Sequence, residues 1–580
     1  MAHSSSAASQ APHAAPLPLG CRRLDDVEII RDFVPGRSVS RVDRQLLEGC
    51  VRRTFTEAEV TRLIRQGADP GAIGSLRVRG ISGINPNWRY SCLCFVIDRP
   101  TNRPFLYANS GVDQGVPVLL PQWSSRELQR DIINALVDGG ADVNAAGGGR
   151  ERPIRVAIEA GNLTAVDTLL ARQADVRGLR VMRLPYIPDY APPATREYED
   201  ALMSVYRRLI QRDSTLAAER SFGDSLVHEA ARSYAAFSQQ FIDQYLNLIT
   251  SHGADMTATD NFGSTPLHVA AAYRGSPCVA DWLCRQLTAD DVSRGLLNQP
   301  NRTPIAVAAE ELDQEQQQLQ QLEEGRSRRI RNYKTTIRVL LRGGAAPSIA
   351  RVPTATEEDR RRRQLVLAEY ATVLSELSEA VMSAINGALA PQRDHSMLLA
   401  RLLPLAPHHD GAHPHPSPSN MAFGPHEAEA IGWKIGAFLH EPPAAVAAID
   451  QYLIGESVLR RRVRAAVAHF VKSAATQTSS NREVVGGTRH QQQGDKRVKV
   501  TVPPLQCFAV RGSGGQVVLT GVREVVHRAR LDEAVSHGIP PEGVVKGFNE
   551  HLGDQDCQFT WQQLGRIDKG TEVFVSLGID

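Results

Sequence analysis

The sequence predicts a mostly α chain in three parts. A solenoid of degenerate helix-pair repeats occupies about residues 50–350. A helical region covers 351–475, and a small α+β domain covers 498–580. Three observations predict this order. A turn-and-helix motif recurs along the first 350 residues. Apolar side chains at Leu365, Val366, Tyr370, Val373, Leu374, Leu377, Val381 and Ile385 then fall at helical spacing. Beyond residue 495 the pattern changes to the alternation expected of strands.

The repeat is clearest between Gly253 and Ala271. Gly253-Ala254-Asp255 is followed by Asp260-Asn261-Phe262-Gly263 and then by Thr265-Pro266-Leu267-His268-Val269-Ala270-Ala271. Each residue type has a physical reason. Gly263 allows the positive φ of a tight turn. Thr265 is placed to cap the next helix, and Pro266 takes its first position, where a missing N–H does no harm. Ala270 and Ala271 are small enough for close helix packing. Gly253 ends the preceding helix in a left-handed cap. This run resembles the ankyrin repeat closely. The resemblance implies that His268 is structural, hydrogen bonding between turns, and that exposed turn tips bind another protein.

Weaker copies follow the same grammar at Pro153–Asn162, Ser225–Ala231 and Thr303-Pro304-Ile305-Ala306-Val307-Ala308-Ala309, and Ser91–Ile97 is a marginal early one. Val60 to Gly67-Ala68-Asp69 reads as the tail of a further unit. Ala141-Asp142 and Ala174-Asp175 are 33 residues apart, which is the ankyrin period. Pro153 and Leu226 are 73 apart, so either a repeat is degenerate or an insertion intervenes. The Pro- and Tyr-rich stretch 180–199 reads as an inserted loop. The Gln-rich stretch 312–334 reads as an outward extension of both helices of its repeat.

The remainder is less patterned. A long amphipathic helix is expected over 354–388. A His/Pro-rich loop covers 406–420, where His408, His409, Asp410, His413 and His415 read as linker histidines because prolines prevent one shared face. Helical patterning resumes over 425–472. Residues 476–497 read as a polar linker. Strands are expected at 498–502, 507–510, 516–519 and 571–577, with a glycine hairpin at 512–515 and helices at 522–537 and 541–551.

Composition excludes several classes. The 580 residues carry 66 basic and 64 acidic side chains, a net charge of +2, so the chain is no global polyanion binder and nucleic acid is not an expected partner. No apolar run reaches 18 residues, so no membrane span is expected. Eight scattered cysteines, none at C-x-x-C spacing, argue against a zinc site or a disulfide framework. No cofactor, metal ligand or catalytic motif is read from the sequence, and none of its features sets an oligomeric state. Residues 1–24 begin with a Ser/Ala/Pro-rich stretch without an acidic residue before Asp25, and read as disordered. Only seven of the basic residues are lysine, leaving 59 arginines, as in a GC-rich genome.

Protein binding is the expected function. Ankyrin turn tips carry it by resemblance, at Ala145–Glu151, Thr257–Phe262 and Leu297–Arg302. The named contact candidates are Asn261, Phe262, Tyr273 and Arg302, because aromatic and Arg side chains carry most interface energy. The arginine skew and uncharged N-terminus resemble bacterial ankyrin-repeat effectors, which implies type III delivery of a cytoplasmic fold and a host protein as partner. One alternative is an ankyrin-targeted enzyme with thiolate chemistry at Cys507, His527 and Asp532. Another is a ubiquitin-ligase adaptor, from the faint F-box likeness of Leu17, Pro18, Val27, Ile29, Ile30, Phe33 and Val34.

Overall fold

The computed structural model describes residues 20–579 apart from 32–39, 82–86, 102, 111–114, 147–151, 188–191, 234–235, 318–323, 406–422, 424, 437, 440, 476–486, 494–495, 503–504, 546–556 and 569. The chain is 59% helix and 9% strand, so the mostly α class stands. It divides into two compact units, Met1–Pro266 and Leu267–Asp580.

The first unit opens with strands that the sequence reading did not anticipate. They are β1 (Arg22–Arg23), β2 (Val27–Arg31), β3 (Ile73–Val78), β4 (Tyr90–Ser91), β5 (Leu106–Asn109) and β6 (Val116–Leu119). Their order is β1-β6-β5-β3-β2, with β4 also paired to β3. Val27, Ile29 and Ile30 therefore lie in a strand antiparallel to β3, which removes the structural basis for the F-box likeness. Leu17, Pro18, Phe33 and Val34 lie outside the described residues.

Helix pairs fill the rest of this unit. They are α1 (Arg41–Arg52) with α2 (Glu57–Arg65), α3 (Cys92–Val96) with α4 (Arg126–Asp138), and α5 (Pro153–Glu159) with α6 (Leu163–Ala171). Then come α7 (Arg196–Arg212) and the pair α8 (Leu226–Arg232) and α9 (Gln239–Ser251). One C-terminal cap recurs. Gly67, Gly140, Gln173 and Gly253 have φ of 94°, 104°, 63° and 102°. The following Ala68, Ala141, Ala174 and Ala254 are buried, and each donates its N–H to the carbonyl five residues back. Asp69, Asp142 and Asp255 then accept the N–H two residues on, at 2.9, 2.8 and 2.8 Å.

The segment Ser91–Ile97 holds a short helix, α3. Ser91 caps α3, all five helical residues are buried, and the excursion to β5 and β6 separates α3 from its partner α4. Within the 73-residue gap, turns occupy residues 177–182 and α7 is the one long helix among the described residues. Met182 and Arg183 carbonyls accept the hydroxyls of Tyr245 (2.8 Å) and Tyr206 (2.9 Å), which anchors that segment. Thr195 caps α7, so the loop ends there and residues 196–199 are helical.

In the second unit, α10 (Pro266–Ala272) and α11 (Pro277–Gln286) precede the short α12 (Ala289–Val292). Next come α13 (Pro304–Gln317) and α14 (Glu324–Leu340), joined by the Arg329–Glu315 ion pair at 2.8 Å. Helix α15 spans 46 residues, Glu357–Leu402. It runs 14 residues past the expected end at 388, through Pro391. Pro391 has no N–H to give the Gly387 carbonyl one turn before it. Helices α16 (Pro425–Gly436), α17 (Pro442–Tyr452) and α18 (Val458–Ala475) pack on or beside it.

The C-terminal part is α+β. Strands β7 (Gly487–Gln493) and β8 (Lys496–Val502) form a separate hairpin, so nine residues assigned to a linker, 487–493 and 496–497, are paired. Strands β9 (Phe508–Arg511) and β10 (Val517–Thr520) form the glycine hairpin, and α19 (Val522–His537) follows. The strand β11 (Leu564–Ile567) was not anticipated; with β12 (Phe574–Ser576) it completes the order β10-β9-β11-β12. After α19 only a 3-10 turn at Pro541–Gly543 forms within the described part of 541–551.

Candidate functional site

In the first unit, two neighbouring turns project phenylalanines into solvent. Ser221 and Asp224 close one turn by a β-bridge, with Phe222 at its tip. Asp260 closes the other: its Oδ1 accepts the N–H groups of Phe262 (2.9 Å) and Ser264 (2.8 Å). Phe222 is 86% exposed and Phe262 is 84% exposed. The turns touch. A Cβ on Gly223 would lie 2.8 Å from the Asn261 nitrogen, and φ is +86° there, so both space and conformation require glycine. Arg220 bridges them by donating to the carbonyls of Gly223 (2.9 Å) and Thr259 (3.0 Å). Arg232 pairs with Asp224 and, at 3.8 Å, with Asp260.

His228 sets this stacking from below. Ser225 donates its N–H to Nδ1 (3.2 Å), with its hydroxyl oxygen 2.9 Å away, so Nε2 carries the proton and donates to the Ser264 carbonyl at 3.0 Å. The same bond recurs in the second unit, between His268 and the Arg302 carbonyl at 3.2 Å. At the equivalent position of α5, Arg155 donates to the Arg180 carbonyl at 3.0 Å. Burial depresses the His228 pKa, opposed by the Ser264 hydrogen bond and by Asp224 and Asp260.

Other nominated residues fall into two groups. Asp260, Thr265, Leu267, His268, Ala270 and Thr303 are buried, and Pro304 opens α13. Gly253 and Gly263 take positive φ at 102° and 78°. Asp255 and Asn261 are exposed, and Tyr273 is half exposed. Pro266 begins α10. Arg302 donates to Glu310 at 3.2 Å on the wall of a cleft of about 280 Å³ that also includes Asn301, Asp359 and Arg362. Leu297, at the tip of the same loop, is 88% exposed.

Phe222 escaped the sequence reading. The signal was available: Phe222-Gly223 precedes Ser225 by the spacing at which Phe262-Gly263 precedes Thr265. The third copy lacks the Thr-Pro-Leu-His signature.

The Cys507, His527 and Asp532 alternative loses its chemical basis. Burial pushes the Cys507 thiol up to about 12, against a Ser473 hydrogen bond that lowers it, so it holds little thiolate near neutrality. Asp532 instead accepts Trp561 Nε1–H (2.6 Å) and pairs with Arg462 (3.0 Å) and Arg528 (2.8 Å). The basic runs are likewise engaged. Arg361 forms a bidentate pair with buried Asp313, at 2.6 and 2.8 Å, and Arg460 and Arg464 share Asp450. Among the described residues no group of three or more His, Cys, Asp or Glu gathers as for a metal. The His/Pro-rich loop at 406–420 lies outside them. Nor is any described helix long and apolar enough to cross a membrane.

No protein-family model matches the sequence, and no curated protein matches it. Among solved structures, the chain is similar to the crystal structure of the ankyrin repeat domain of Bcl-3, described as a unique member of the IkappaB protein family. The identity is 17%, the TM-score 0.25, and the match covers 45% of this chain and 92% of that one.

Proposed function

We propose that the chain is an ankyrin-repeat protein whose turn tips bind another protein. The observation that carries this reading is the pair of phenylalanines, Phe222 and Phe262, more than four-fifths exposed on touching turns. Such rings serve a monomeric fold little, yet they give a partner large contact area with few torsions to freeze. Asn261, Tyr273 and Arg302 are the further contact candidates. The test is quantitative capture by the full chain and by an F222A/F262A variant with unchanged melting temperature. Partners recovered by the native chain are lost with the variant. An unchanged partner set defeats the proposal.

The finer reading is a bacterial effector delivered by a type III system to act on a host protein. The arginine-to-lysine ratio and the uncharged first 20 residues support it. Its test is a translocation reporter fused to the full chain, in strains with and without an intact secretion apparatus. Delivery only with the apparatus supports the reading, and equal signal in both strains overturns it. The enzyme alternative is retained only as an outcome: a host-protein modification lost in C507A would restore it.

A further inference from the structure

Resting on the binding role just proposed, we propose that His228 is an acid-sensitive latch between the Phe222 and Phe262 tips: its protonation uncouples the two turns and releases a partner held by both. Both ring nitrogens are already committed in the fold. His228 is 0% exposed on α8. The Ser225 N–H donates to Nδ1 at 3.2 Å, and Nε2 donates to the Ser264 carbonyl at 3.0 Å. A second proton has to enter at Nδ1, where it faces the Ser225 N–H. The Ser225 hydroxyl oxygen, 2.9 Å away, can accept that proton, but the Ser225 N–H then loses its acceptor on the ring. Ser225 is 3% exposed, so water does not replace the lost bond unless the ring swings out. Swinging out takes Nε2 off the Ser264 carbonyl.

The Ser264 carbonyl belongs to the turn that carries Phe262. It also accepts the Asp260 N–H, at 2.9 Å, across that turn. The Phe222 turn runs directly into α8: Ser221 and Asp224 close it, and Ser225 is the residue before the helix. The His228–Ser264 bond therefore ties the helix that follows one ring to the turn that carries the other. Two further ties lie nearer the surface. Arg220 donates to the Thr259 carbonyl from an exposed position, and Arg232 reaches Asp260 at 3.8 Å. Exposed polar contacts of this kind compete with water and hold weakly. With the buried bond gone, the two rings no longer form one surface. At the same position of α5 the Arg155 guanidinium holds the Arg180 carbonyl instead, so within the first unit the imidazole belongs to the layer beneath the phenylalanines.

The surroundings set the range in which the latch works. Burial lowers the His228 pKa from its ordinary 6.5; the Ser264 carbonyl, Asp224 and Asp260 raise it, and Arg232 lowers it. Burial is the largest of these influences, so the coupled arrangement holds the neutral ring. An arrangement in which the ring reaches water takes up the proton more readily. By linkage, falling pH shifts the population from the coupled to the uncoupled arrangement below about pH 6.5, and at neutral pH the latch is closed.

The test reads the latch with no partner present. Amide hydrogen–deuterium exchange of the full chain is compared at pH 7.5 and pH 5.0, corrected for the intrinsic pH dependence of exchange. The expected result is a corrected rate about tenfold or more faster at pH 5.0 over residues 257–268, with α9 changing by less than about twofold. H228Q, matched to the native chain in melting temperature at pH 7.5, removes the acid gain. H268Q, which alters the equivalent histidine of the second unit, retains it. In the native chain, nitrogen-15 spectra of labelled histidine show His228 protonated at Nε2 alone at pH 7.5. Equal corrected exchange at the two pH values overturns the proposal. So does an undiminished acid gain in H228Q, loss of the gain in H268Q, or a His228 ring protonated at Nδ1 at pH 7.5. If exchange is flat while F222A/F262A abolishes capture of a protein partner, the binding role stands and the latch falls. If exchange responds to acid while F222A/F262A keeps every partner, the turns are coupled as described and the release function falls with the binding role.

Discussion

His228 joins the repeat's structure to a titration that can be measured. Its folded pKa lies below the ordinary value of 6.5, chiefly through burial. The folded state therefore favours the neutral ring. Its contribution to stability is fully present above about pH 6.5 and is lost as pH falls through the lower, folded value. Asp224 and Asp260 face it with a raising influence and Arg232 with a lowering one, so the shift is partial. We expect the first unit to lose stability between pH 7 and pH 5. Denaturant midpoints of H228Q should show a smaller change than native over that range. Equal pH dependence of the two would refute the assignment of this group.

Arg53 and Asp98 test a different kind of residue. Their side chains are 1% and 2% exposed and meet at 2.9 Å. Arg53 also donates to the carbonyls of Phe95, Ile97 and Pro121, and Asp98 also accepts from Arg126 and the Trp123 nitrogen. Burial lowers the guanidinium pKa to about 10 even with Asp98 opposing it. Removing one partner strands the other, so Asp98→Ala should destabilise the first unit by about 3–5 kcal/mol. Urea unfolding should show the loss, and a change under about 1 kcal/mol would mean that the pair is relieved by water.

At the scale of elements, two places bear directly on the account. In α15, Pro391 interrupts the hydrogen-bond ladder of a 46-residue helix, while the neighbouring Gln392 is fully buried and donates to the Ala475 carbonyl at 3.2 Å. Pro391→Ala restores a donor and should stabilise the second unit by up to about 3 kcal/mol, read as a raised melting temperature. A lowered melting temperature would show that the proline ring contributes more by packing than the missing donor costs. In the turn pair, Gly223→Ala adds left-handed strain and a 2.8 Å approach to Asn261. It should cost about 1–2 kcal/mol and move the Phe222 tip, whereas F222A changes stability by less than about 0.5 kcal/mol. Comparing the two in one thermal series separates the tip's geometry from its ring.

Across the whole molecule, legibility followed local physics. The repeat at 253–271 was readable because turn, cap and close packing each demand particular residues within 20 positions. Arg155 and Gln173 stand at the histidine and glycine positions of their repeats and make equivalent structures, which is why those copies were faint. The sheet of the first unit was not readable. Its strands are as short as two residues and pair across tens of positions, as in Arg22 with Val118. Such pairing leaves no local period. Strand β7 was hidden for a related reason: GTRHQQQ has the composition of a linker and becomes a strand only against β8. Of the candidate site, Phe262 was named from its motif. Phe222 stands at the same spacing before Ser225, but its copy lacks the Thr-Pro-Leu-His signature that draws attention to the turn.

The central claim is that the function resides in the turn tips and not in chemistry at the C-terminal part. The most direct measurement is affinity for captured partners, compared among the native chain, F222A/F262A and C507A, all matched in melting temperature. The account predicts at least a hundredfold loss of affinity for F222A/F262A and none for C507A. Undiminished binding by F222A/F262A would contradict it.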